Sequence, residues 1–137
     1  MRFAVVTLLL IAAPSAFAES AVILERYSTV SESEWEMTVD LRANQAATLK
    51  IARWQPGERD KPNTIAYTGK WSATGTDVVL TFKAGTATFR FQPQLSFAEF
   101  ERNGAAPGLV GTSASFQQSM IVKRSLWLES ELKKLKP

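Results

Sequence analysis

Two pairs of carboxylates are the first residues that could do chemistry. Glu99 and Glu101 lie two apart, as do Glu129 and Glu131. Paired carboxylates hydrolyse glycosides when they face each other across a cleft at the correct separation. On a strand, residues two apart point the same way, so Glu99 and Glu101 read as a solvated strand face. Ser113 follows Gly111 at the spacing of a nucleophile elbow, but that motif's second glycine is missing. The chain has no histidine and no cysteine. Ser-His-Asp and Cys-His nucleophiles are therefore excluded, as are zinc sites built on imidazole or thiolate. Only a Ser-Lys pair is left to activate Ser113. Gly104, Gly108 and Gly111 could line a phosphate loop, but no Gly-Lys-Ser/Thr follows them. Met37 and Met120 alone make a poor copper site and read as core filler. The sequence assigns no catalytic residue, no metal site and no cofactor.

What remains is recognition. Exposed tryptophans fill a partner's pocket or stack on sugar rings. Trp35 and Trp71 fall on inward strand faces and read as core. Trp54 ends a strand beside a proline-rich loop, and Trp127 precedes the chain's last helical pattern. The candidate binding residues are Trp54 and Trp127, with Arg59 and Lys61 from a loop at 55–64 and Leu109 from a second loop at 103–115. The second loop carries Gly104, Pro107, Gly108, Gly111 and a small polar run from Thr112 to Ser115. Long loops on a rigid scaffold often carry function, and this one reads as a mobile rim or a binding loop.

The elements that must position these residues alternate with a period of two. Trp35, Met37, Val39 and Leu41 alternate with Glu36, Thr38, Asp40 and Arg42, one dry face and one charged. A turn at Ala43–Gln45 leads to a strand from Ala47 to Arg53, with Leu49 and Ile51 inward. Pro56-Gly57 and Pro62 break the pattern. Ile65, Tyr67, Gly69 and Trp71 line a third strand. After Thr74-Gly75, Val78, Leu80 and Phe82 line a fourth. After Ala84-Gly85, Ala87, Phe89 and Phe91 line a fifth, which Pro93 interrupts. A sixth segment covers Leu95–Arg102, and Phe116–Trp127 reads as the last strand. With a strand near Val22–Tyr27, the count is seven or eight. Short strands joined by tight turns predict an all-β fold: an antiparallel up-and-down meander forming a small barrel, with a short C-terminal helix. In that helix Leu128, Leu132 and Leu135 share one face. It reads either as a plug for one barrel end or as a surface for a membrane, cell wall or partner.

Composition bounds the setting. Arg2, the apolar run Phe3–Ala13, Pro14-Ser15 and then Ala16-Phe17-Ala18 have the layout of a secretory signal peptide over 1–18. The run is too short to span a bilayer. The expected mature protein is a single β-barrel domain over 19–137, periplasmic or secreted and not transmembrane. Without a lipobox cysteine it would be released rather than lipid-anchored. The full chain's net charge of +3 is too mild for nucleic acid, which demands a dense basic stripe.

Asp40-Leu41-Arg42 with its turn into Ala47-Thr48-Leu49, then Tyr67-x-Gly69-x-Trp71 followed by Gly75-x-x-Val78-x-Leu80, resembles the small lipocalin-like barrels of bacterial envelope proteins. The pattern is similar to the N-terminal domain of the copper-resistance lipoprotein NlpE and its relatives. The resemblance implies a barrel and an envelope role. It implies neither lipid anchoring nor copper handling, because the lipobox cysteine and the Cys-x-x-Cys pair of those proteins are absent. The bulky inward set predicts a filled core rather than an open cup. The expected function is non-catalytic binding of a protein partner or a small apolar ligand, by an exported envelope protein. The alternative is an inhibitor or immunity protein that inserts the 103–115 loop into an envelope or wall-degrading enzyme.

Overall fold

A computed structural model describes residues 22–29, 35–55, 61–99, 102–116 and 121–134. The leader-like residues 1–18, Arg59, Glu101 and Met120 lie outside them. Eight antiparallel strands follow one another around a closed barrel: β1 (Arg26–Ser28), β2 (Trp35–Leu41), β3 (Ala46–Arg53), β4 (Asn63–Thr74), β5 (Asp77–Phe82), β6 (Gly85–Glu99), β7 (Arg102–Ala114) and β8 (Ser125–Leu128), with α1 (Glu129–Lys134) after them. The order is the up-and-down meander that the alternation predicts. Closure rests on a short seam, in which Tyr27 pairs with Leu128 and Ser28 with Trp127.

An eight-stranded barrel is just wide enough for its own side chains, and here they fill it. Met37, Val39, Leu49, Ile51, Val78, Leu80, Phe89, Leu109 and Leu126 are fully buried. Trp35, Tyr67 and Trp71 point inward but are only half-buried, packed against that core at its ends. The Trp71 indole donates to the Arg42 carbonyl at 2.7 Å. The Arg124 guanidinium lies 4.4 Å above the Trp35 ring.

Four expectations are corrected. The segment 103–115 is not a loop: Arg102–Ala114 is strand β7, paired with β6. Gly108 and Gly111 admit neighbouring backbone rather than flexibility, and a Cβ on Gly108 would sit 2.5 Å from the Leu126 carbonyl oxygen. Pro93 does not interrupt the fifth strand, because the register shifts between Gln92 and Leu95. Pro93 occupies that bulge, where no ladder N–H is required, so the fifth and sixth segments are one strand. The last strand is Ser125–Leu128, not Phe116–Trp127; residues 121–124 turn, and Val122 is exposed. Leu128 ends β8 rather than lying on the helix, since the ladders to β1 and β7 claim this segment. The helix begins at Glu129 and packs against β1, β7 and β8 at the seam.

Tyr27 anchors that seam. Its hydroxyl donates to the Ile23 carbonyl at 2.7 Å. Burial, with a smaller contribution from Glu25, pushes the phenol above its usual value near 10. Above pH ~10 the unfolded chain loses this proton while the folded chain keeps it. Stability contributed by Tyr27 is therefore whole below pH ~10 and falls as pH rises further. Tyr27→Phe is expected to cost about 1 kcal/mol at neutral pH. It should also flatten the alkaline fall relative to wild type, measured by urea unfolding from pH 7 to 11.

Candidate functional site

The two strands of the β4–β5 hairpin differ in length. β4 has twelve residues and β5 has six. Pairing runs from Thr74 with Asp77 to Gly69 with Phe82, and there β5 ends. The chain then turns through Lys83-Ala84 into β6. On its other side, β4 stays paired with β3 all the way to Arg53 and Asn63. The first half of β4 thus has one neighbour and one open edge among the described residues.

The parity of the ladder decides which groups that edge displays. Trp71 N–H donates to the Gln45 carbonyl, on the β3 side, at 2.9 Å. Odd-numbered residues of β4 therefore bond to β3. Even-numbered ones face β5, because hydrogen-bonded pairs alternate along an antiparallel ladder. Thr64, Ala66 and Thr68 aim their N–H and C=O groups into the gap where β5 has stopped.

A pocket of about 340 Å³ occupies the gap, lined by Ala66, Tyr67, Thr68, Phe82, Lys83 and Ala84. Three rings form a cluster beside it. Tyr67 and Phe116 have centroids 4.9 Å apart, and Tyr67 and Phe82 5.8 Å. Phe116 meets Phe82 edge-on at 6.1 Å. Ile65, two residues before Tyr67 on the same strand face, is 48% exposed. The notch therefore joins a recessed aromatic surface to a row of backbone groups that have no β5 ladder partner among the described residues. Its lining offers apolar and aromatic surface from Ala66, Tyr67, Phe82 and Ala84, with one hydroxyl from Thr68 and one ammonium from Lys83. Among the described residues, no three carboxylates converge to hold a metal ion.

The residues singled out from sequence scatter. Lys61 is exposed two residues before β4, and Trp54 is half-buried just after β3, both at the notch end of the barrel. Trp127 lies towards the other end: its indole donates to the Leu95 carbonyl at 3.0 Å and its ring meets Phe97 edge-on. It clamps the long β6–β7 ribbon to β8. Leu109 is fully buried in the core and offers no surface to a partner. Ser113 is exposed on β7, paired with Thr88. Glu129 and Glu131 are each paired with a lysine of their own helix, Lys133 and Lys134. No helix among the described residues is long and apolar enough to cross a membrane.

Sequence reasoning missed the notch itself. The available signal was length: the alternation of the third strand runs from Ile65 to Trp71, whereas the fourth is cut short by the tight turn just before Gly85. No family model matches this chain, and no curated protein or solved structure matches it.

Proposed function

We propose that this is an exported, non-catalytic envelope protein that recognises a partner protein through the notch between β4 and the β5–β6 turn. The observation that carries this reading is the filled interior. With Tyr27, Met37, Leu49, Leu80 and Phe89 wholly buried, the barrel centre is packed with its own side chains, which disfavours a small apolar ligand there. The recessed apolar surface lies instead at the edge of the wall. The inhibitor reading relied on a 103–115 loop, and that segment is strand β7. Export is supported by the leader-like start, and an envelope setting by the resemblance to NlpE-type barrels.

The test compares the processed protein with Ala84→Trp. Ala84 is exposed in the turn that borders the notch, so an indole there obstructs the opening without touching the core. Retention of an envelope protein on the immobilised wild type is expected to drop at least tenfold with the variant, a change of ~1.4 kcal/mol or more. The two proteins should melt within a few degrees of each other. Equal retention by both would remove the notch from the function. Recovery of a lipid rather than a protein would favour a ligand carrier.

A further inference from the structure

We infer that the notch captures its partner by strand addition: an extended, carboxylate-bearing segment pairs with the open edge of β4 at Thr64, Ala66 and Thr68. This deepens the proposed function and rests on it. Three N–H donors and three C=O acceptors face the gap, as the ladder parity requires. Exposed strand edges template pairing with another chain, whose backbone supplies affinity while alternate side chains supply specificity. Side chains on one face of the added strand would enter the 340 Å³ pocket against Tyr67 and Phe82. That volume is at the small end of ligand pockets, so it takes one or two apolar side chains rather than a free ligand.

Charge selects the occupant. Neither β3 nor β4 contains an aspartate or glutamate. Lys50 lies across the ladder from Ala66, Lys70 follows Thr68 on the same face, and Lys83 lines the notch. Lys61 stands just before the strand. All four are exposed, and none is in an ion pair among the described residues, where the bridges are Arg26–Asp40, Arg90–Asp77, Lys133–Glu129 and Lys134–Glu131. A second copy of this chain would bring two lysine-flanked edges together, and like charges across a ladder oppose pairing. A segment carrying Asp or Glu on its outer face and apolar residues on its inner face is complementary on both.

The probes are two pools of eight-residue peptides in which Phe, Leu or Val alternates with Glu in one pool and with Lys in the other, offered to the full exported chain. The Glu pool is expected to bind at least tenfold tighter than the Lys pool, and less tightly as salt is raised. Amide exchange at Thr64, Ala66 and Thr68 should slow with the Glu pool. Exchange at Ile65 and Tyr67, already bonded to β3, should not change. Ala66→Pro removes one edge-facing N–H and leaves the β3 ladder whole; it should weaken the Glu pool at least tenfold. Should Ala66→Pro fail to fold, Lys70→Glu with Lys83→Glu serves instead and should reverse the preference between pools. Binding of neither pool, equal binding of both, or binding without slowed exchange at the three amides overturns the inference. So does slowed exchange that appears without peptide as protein concentration rises, which would make a second copy the occupant. If Ala84→Trp abolishes partner retention while the pools leave the three amides unchanged, strand addition falls and recognition at the notch stands.

Discussion

Gly111→Ala is expected to destabilise the barrel by about 3 kcal/mol, the upper part of the usual cost of forcing atoms into a packed site. Gly111 sits where β7 bulges, between Thr88 paired with Ser113 and Phe89 paired with Gly111. Two backbone bonds tie it to the returning chain: its N–H donates to the Arg124 carbonyl, and Lys123 N–H donates to its own carbonyl, both at 2.8 Å. A Cβ there would meet the Ile121 carbonyl oxygen at 1.9 Å and its carbon at 2.9 Å. Those atoms are backbone and cannot swing aside as a flexible side chain would. Relief requires moving the 121–124 turn, which delivers the chain into β8 and the closing seam. Thr112→Ala is the control. It removes only the Thr112 hydroxyl bond to the Thr88 carbonyl at an exposed site, and should cost less than about 1 kcal/mol. Urea unfolding of the three proteins measures both. A loss from Gly111→Ala no larger than that from Thr112→Ala would show that the turn adapts freely.

Phe89→Ala is expected to cost about 4 kcal/mol, within the ~3–5 kcal/mol range for truncating a buried aromatic ring. Phe89 is wholly inaccessible and pairs with Val78 on one side and Gly111 on the other. Its ring belongs to the layer that fills the barrel, so truncation leaves a void that rigid ladders on both sides cannot collapse. At roughly 4 °C per kcal/mol for a domain of this size, the melting temperature should fall by about 15 °C. A loss below about 2 kcal/mol would mean that the interior is loosely packed, and a ligand cavity would regain its standing. Thus the variant also probes the premise of the functional proposal.

How much was legible follows the strength of the local signal. β2, β3 and β5 could be read directly, because polar and apolar residues alternate cleanly and a short turn bounds each one. Met37, Val39, Leu49, Ile51, Val78 and Leu80 accordingly lie in the core as the alternation implies. β7 could not be read, because three glycines, a proline and a small polar run imitate a loop. Glycine has two structural uses, freedom of the chain and close approach of another backbone. Composition does not distinguish them; the carbonyls of Leu126 and Ile121 beside Gly108 and Gly111 do. Pro93 was misleading for a related reason, since a bulge across the ladder is a property of two strands rather than one.

The sequence by itself determined the fold class, the meander and the identity of most core residues. Alternation of side chains is a one-dimensional property, and burial of the apolar set follows from it. Only the tertiary structure decided where, among the described residues, the wall has an open edge. That edge arises because β3 continues beside β4 beyond the point where β5 has turned away, a comparison of three strand lengths and two registers. The same comparison brings Tyr67, Phe82, Phe116 and Lys83 to one notch, although they are spread from the middle of the chain to its last quarter.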